Sequence, residues 1–379
     1  MAGSAAAGGS SGDGVPSDAI PIDGPVRITE PGYYVLTKDI VSKTPGGVIF
    51  VEPFTDDVTI DGQGHTITGP GKEVDSTAIA IGEYPGTDTN DITVKDLIVT
   101  GFEIGIDIQD TDRGLVSNVK VTHCEWGFNL LENLDLTIAD SIVAKNDVAF
   151  FQDEGSPRTT FARNRITRNE QVGNFEFADD SVIEDNRVDY NNSRWAFSDS
   201  TGLRVVGNLF YQNKAGFEIT EFVGRGNESP NVIRGNRFIE NEETGVNING
   251  EAVFEISNVL VEENDVLRNG GVGIEFFSIL ASTISKNRVI GNRGDGVRLI
   301  NSDDNEVTGN LIRQNVGDGI ELRRREEDDS GSNNNVIRNN IIRENGDLPI
   351  RIDEFSNDNV VENNQIGDDA PNVCRIPDE

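Results

Sequence analysis

The chain has 379 residues, 66 acidic and 32 basic, for a formal charge of −34. That balance excludes a nucleic-acid partner, which needs a basic stripe against phosphate, and two cysteines cannot build a disulfide framework or a cysteine metal site. Only eight basic residues are lysine, a composition suited to concentrated salt, where cations screen the self-repulsion.

Residues 1–24 open with MAGSAAAGGSSGDG and read as a flexible Gly/Ala/Ser-rich arm. The arm lacks the basic and apolar regions of a signal peptide and a twin-arginine motif, so the sequence predicts no signal here. No stretch is apolar for 18 residues, and no membrane span is expected. Residues 25–57 read as short strands that cap the first end of a solenoid, where an open edge would invite pairing. His65, in DGQGHTI, reads as a turn histidine bonded to backbone. With His123 as its only fellow, a histidine metal site or Ser-His-Asp triad is not expected.

Beyond these strands a repeat takes over, clearest in Ser282–Leu322. Asn287, Asn292, Gly296 and Val297-Arg298-Leu299 recur 23 residues later as Asn310, Asn315, Gly319 and Ile320-Glu321-Leu322. Each unit holds three short β-branched runs between Asn and Gly turns, too short for ordinary helices. The first Asn recurs at Asn164, Asn186, Asn208, Asn236, Asn264, Asn287, Asn310, Asn340 and Asn364, with Asp96, Asn118 and Asp140 extending the register upstream. Asn suits such a corner because it tolerates left-handed backbone angles and can bond along a stacked column. A leucine-rich repeat is the nearest rival, but Val and Ile outnumber Leu here and no segment has helical periodicity. The expected fold is all-β: a single right-handed parallel β-helix of about 13 coils over residues 25–367, followed by a tail at 368–379. On that register Cys124 and Cys374 stand ten coils, ~50 Å, apart and are expected to be free thiols.

These repeats, with ITEPGYYVLTKDI (28–40) and VTIDGQGHTITG (58–69), resemble the right-handed parallel β-helix proteins of the pectin-lyase-like superfamily, in particular those of halophilic archaea or their viruses. The resemblance implies the fold. It leaves activity open, because lyases, hydrolases, epimerases, adhesins and viral spikes share it. The polygalacturonase signatures and the Asp-Pro-His-Asp motif of alginate epimerases are absent, and Arg351-Ile352-Asp353 departs from Arg-Ile-Lys at its last residue.

Chain length varies only after the apolar–x–apolar strand, so the long segments 221–230, 249–256 and 323–335 should flank one face. The middle residue of that strand should point outward. Coil by coil it is Asp107, Asn129, an ambiguous aromatic coil, Glu176, Ala196, Glu218, Asn247, Glu275, Arg298, Glu321 and Arg351. Glu275 and Glu321, ~9.6 Å apart with Arg298 between them, are candidates for general acid–base work. The simpler reading is a cross-strand charge ladder. Trp126 and Trp195 stand just before this face, where they could stack on sugar rings or pack in the core. Asp303, Asp304 and Glu306, and Glu326, Glu327, Asp328 and Asp329, could hold Ca²⁺ but lack fixed ligand spacing, so no cofactor is expected. Asn191 and Asn227 match the N-glycosylation pattern, and Asn227 is the better acceptor.

The sequence therefore predicts a non-catalytic, surface-exposed rod for glycan or cell-surface recognition or scaffolding, either a haloarchaeal surface protein or a viral spike or turret. Its expected partner is a glycan or cell-surface glycoprotein lying along the face of Glu275, Arg298, Glu321 and Arg351, with Glu176, Glu218, Asn247, Trp126 and Trp195 as further binding candidates. Other virion or envelope proteins and a second copy of the chain are further partner candidates. The alternative is a lyase or hydrolase acting on acidic polysaccharide.

Overall fold

A computed structural model describes residues 14–82, 86, 89–152, 154–221, 229–250, 256–325 and 331–367, and the backbone of Cys374–Ile376. Among these residues every element is a β-strand or turn, and the strand pairings are all parallel, coil on coil. The chain winds as a right-handed β-helix with three faces. Two faces are run through by the long strands Thr93–Thr100 and Leu115–Thr122. Farther along, each such strand breaks in two at a corner, as in Thr283–Ser285 and Arg288–Ile290. The third face is a six-stranded sheet followed by a nine-stranded one.

Alternation explains the core. In each short strand the middle β-branched residue points inward, and coil stacking sets like on like. Ile284, Val307 and Ile337 form one such column, and Val297, Ile320 and Ile350, the first residues of their third-face strands, form another; all six are fully buried. Each such side chain contributes roughly 1.5–3 kcal/mol by leaving water. Midway along the rod the filling turns aromatic: Phe150 packs on Phe161 at 5.1 Å and on Trp195 at 6.0 Å between ring centres.

The Asn columns form as expected. The Asn287 backbone N–H donates to Asn310 Oδ1 at 2.8 Å, while its Nδ2 donates to Asn310 Oδ1 at 3.0 Å and to the Val261 carbonyl at 2.8 Å. One side chain thus ties three successive layers. The second column, through Asn269, Asn292 and Asn315, repeats the arrangement.

The reason for Asn differs from the expectation. The left-handed residue is the one before each ladder Asn: Arg163, Asp185, Glu263 and Lys286 have φ of 55°, 53°, 57° and 54°. Asn is selected for its amide, and the strained angle falls on whatever precedes it. The same offset corrects the upstream register. Asp96, Asn118 and Asp140 are themselves the left-handed residues (φ 54°, 51° and 52°), and the column continues through Ser141, whose N–H donates to Asn164 Oδ1 at 3.0 Å, to Val119.

Glycines such as Gly296 and Gly319 stand where any side chain would collide. A Cβ on Gly296 would lie 2.5 Å from Ile312 Cγ2 and 2.6 Å from the Gly319 carbonyl oxygen.

Strands extend beyond the expected limits at both ends. Ile20–Ile22, inside the supposed arm, pairs with Gly32–Leu36, and Cys374–Ile376, inside the supposed tail, pairs with Ile350–Asp353. The capping strands at 25–57 are themselves full layers, since Val26–Ile28 pairs with Gly46–Val51 and that strand with Ser76–Ile81. His65 bonds backbone through its main chain, its N–H donating to the Gly62 carbonyl at 2.8 Å, and its ring Nδ1 lies 3.2 Å from the Asp39 carboxylate.

Cys124 is fully buried and free, its thiol pushed up to about 11 by burial. Asn191 is a buried rung of the second column and cannot accept a glycan; Asn227 lies outside the described residues.

Candidate functional site

The third face carries a continuous outward row, fixed by strand register. It runs Asp107, Asn129 and Phe151, then Asn174, Ala196, Glu218, Asn247, Glu275, Arg298, Glu321 and Arg351. Phe151 resolves the ambiguous aromatic coil. Asn174, not Glu176, stands in the row; Glu176 pairs with Ser198, two residues farther along the strand. Gly173 stands nine residues after Asn164, as Gly245 does after Asn236, yet through Trp195 and Phe217 it aligns with Val246, so the spacing does not set the register in this coil. The insertions at 222–228, 251–255 and 326–330 follow third-face strands that end at Glu221, Gly250 and Arg323. Those segments, and with them Glu326, Glu327, Asp328 and Asp329, lie outside the described residues.

Arg298 is the hub of the C-terminal part. Its Nε lies 2.8 Å from oxygens of both Asp295 and Glu321, and its Nη1 3.2 Å from Glu275. Burial pulls this guanidinium down, but Asp295, Glu321 and Glu275 hold it above its ordinary value. Glu321 is pushed up to about 7 by burial and by the Asp295 carboxylate, against the pull of Arg298 and Arg323.

Asp295 was missed in the sequence. It precedes Gly296, as Asp318 precedes Gly319, and each closes a turn onto the next layer: Asp295 Oδ1 accepts the Asp318 N–H at 2.7 Å, and Asp318 Oδ1 the Leu348 N–H at 2.8 Å. The recurring Gly-Asp-Gly was the available signal. Arg351 binds Asp318 at 2.6 Å rather than Glu321, and burial still raises the Asp318 carboxyl. Glu275 and Glu321 therefore share one guanidinium instead of flanking an open gap, which is the charge-ladder arrangement.

The middle of the row is concave. Ala196 is the smallest residue among its neighbours, and over it opens a groove of about 520 Å³ lined by Asn174, Asn192, Ser193, Arg194, Lys214, Glu218 and Thr220 among others. Arg194 pairs with Glu218, which is 5% exposed, and Asn247 Nδ2 donates to the same carboxylate at 2.7 Å. Asn247 Oδ1 is buried without a protein partner.

The two tryptophans separate. Trp195 is fully buried among phenylalanines and cannot stack on a ligand, because its side chain points into the coil where Phe150, Phe161 and Phe175 enclose it. Trp126 is half-buried on the outside and stacks on Phe151, with ring centres 4.3 Å apart and planes 7° apart. Beside them Asp107 accepts from Gln109 at 2.9 Å and Asn129 at 2.8 Å. Burial raises its carboxyl nonetheless.

Among the described residues no group of three or more His, Cys, Asp or Glu could hold a metal ion, and Asp303 instead accepts the Asn333 backbone N–H at 2.6 Å. No described helix is long and apolar enough to cross a membrane.

No curated protein sequence matches the chain. Among solved structures it is similar to a mutant of the periplasmic alginate epimerase AlgG, at 15% identity over 84% of this chain and 77% of that one, TM-score 0.58. It is also similar to PfbA, a surface adhesin of Streptococcus pneumoniae, at 14% identity over 82% and 84% of the two chains, TM-score 0.55. A third is the catalytic unit of a thermostable α-1,3-glucanase from Streptomyces thermodiastaticus, at 14% identity over 87% of this chain and 63% of that one, TM-score 0.51. At these identities the likeness shows a shared fold. Residues 86–228 and 221–366 also match the family model described as "Right handed beta helix region", and the chain belongs to that family.

Proposed function

We propose that the protein is a non-catalytic recognition rod that binds carbohydrate along its third face. The observation that carries this reading is the groove over Ala196. It is concave and lined by hydroxyl, amide and paired ionic groups, the kinds of donor and acceptor that satisfy sugar hydroxyls. The fold it shares with an epimerase, a glucanase and an adhesin leaves enzyme and binder both open, so the decision rests on this geometry. The extreme acidity supports a setting in concentrated salt, on a haloarchaeal surface or a virion, with a surface glycan or glycoprotein as partner.

The test is retention of haloarchaeal envelope glycan on immobilised rod in molar KCl. Ala196→Trp, which projects an indole into the groove, should abolish retention while leaving the melting curve in place. Retention unchanged in that variant would remove the groove from the proposal.

One observation favours an enzyme instead. Glu321, held near 7, could exchange a proton close to neutrality. That reading predicts new reducing ends or unsaturated uronate from acidic polysaccharide, with the product lost in Glu321→Gln.

A further inference from the structure

We infer that the ligand of this face is an uncharged, linear glycan, lying parallel to the rod axis from the Trp126–Phe151 pair into the groove. The inference rests on the recognition reading above and names the ligand class. Phe151 and Asn174 are consecutive members of the outward row, because Val148 bridges to Gln171 in parallel register and Asn174 pairs onward with Ala196. The aromatic ledge and the groove are therefore one surface. From Asp107 to Glu218 it spans five layer steps, or ~24 Å, long enough for several sugar residues in line and in the only direction in which the row continues.

Charge selects the class. Among the described residues three cations border this stretch, and each is already matched. Lys72 binds both oxygens of Asp147 at 2.6 and 2.7 Å, Arg194 binds Glu218, and Lys214 lies 3.4 and 3.3 Å from Glu242 and Glu243. Asp107, its carboxyl raised by burial, adds no attraction for anions. A uronate or sulfate entering here would have to displace a protein carboxylate from its cation within a molecule of charge −34.

An uncharged sugar meets no such opposition. Its apolar C–H face fits the half-buried indole, whose stacking on Phe151 holds it rigid, and its hydroxyls can pair with the exposed amides that line the groove, Asn174 and Asn192.

The two tryptophans make the experiment direct. Trp195 is sealed in the core, so a ligand-induced change in indole fluorescence reports Trp126. The full chain is titrated in molar KCl with neutral linear hexasaccharides of glucose and of mannose, and with a hexamer of galacturonate, by fluorescence and calorimetry. At least one neutral hexamer should bind with a change in emission, and at least tenfold more tightly than the uronate. Trp126→Phe should lose the emission change but keep calorimetric binding, whereas Trp126→Ala should weaken it at least tenfold. Binding of the uronate alone would overturn the neutral class and leave carbohydrate recognition standing. Neutral binding that is unaltered in Trp126→Ala would overturn the extended seat. Failure of every hexamer, together with failure to retain envelope glycan, would overturn both readings.

Discussion

Asp295 and Glu321 share the Nε–H of Arg298, each with a carboxylate oxygen 2.8 Å from it. Glu321 is the partner that yields, its acid form favoured up to about 7 against an ordinary 4.5. The folded chain therefore binds this proton more tightly than the unfolded chain does, and stability falls as pH rises between those values. The melting temperature of the wild type relative to Glu321→Gln should decline from pH 5 to pH 8 and level off above that. A constant difference across the range would show that Glu321 is ionised throughout.

Removing the guanidinium should expose the same balance from the other side. Arg298→Ala leaves Glu275, Asp295 and Glu321 uncompensated, which should cost about 2–4 kcal/mol. That is somewhat below the full cost of breaking a buried pair, since the Arg298 side chain is 24% exposed. Denaturant titration should show the loss shrinking towards pH 5, as Glu321 takes up its proton.

The Asn columns should be among the least tolerant positions. Asn292 accepts the Asn269 backbone N–H at 2.9 Å and donates to the Val266 carbonyl at 3.1 Å, both buried. Asn292→Ala leaves those two groups without partners, a cost of roughly 3–5 kcal/mol. A denaturation midpoint within error of wild type would contradict the role given to the ladder.

Two glycines should respond differently. Gly296→Ala forces a methyl against backbone and Ile312 and should cost about 2 kcal/mol or more. Gly309 has φ of 67° but its nearest neighbour would lie 3.7 Å from a Cβ, so Gly309→Asn should cost no more than about 1 kcal/mol. Melting curves of the two variants, run side by side, compare collision with backbone strain.

Cys124 gives a probe of opening. Its thiol is fully buried and pushed up to about 11, so in a Cys374→Ser background it should resist alkylation at pH 8 until the coils open. Labelling of the native protein as fast as that of the denatured chain would contradict this burial.

The fold was legible because its period is written in residues with one job each. Asn287, Asn292, Gly296 and Val297 recur at fixed spacing, and each identity answers to its contacts with the adjoining coils. Positions whose identity answers to angle rather than contact were not legible. Arg163, Glu263 and Lys286 carry the left-handed turn, yet nothing in their chemistry marks them for it. The outward row was read correctly along most of the face, and it slipped at Glu176, where Gly173 keeps the nine-residue spacing from Asn164 but aligns with Val246 instead of Gly245. The hub around Arg298 was visible only in part, since Asp295 belongs to a turn rather than to the strand. The groove was invisible for a physical reason: it is made by what Ala196 lacks.

The parallel pairing has a mechanical consequence. Hydrogen bonds between successive coils, such as Asn287 N–H to Asn310, point along the rod axis, and each coil is held chiefly by its immediate neighbours. Tension applied between the two ends therefore loads those bonds in series, opening one rung at a time instead of shearing a whole sheet together. Anchored at one end and engaged through its flank at the other, such a rod would yield in small steps of one coil's contour, acting as a shock absorber that lets go gradually and can rewind.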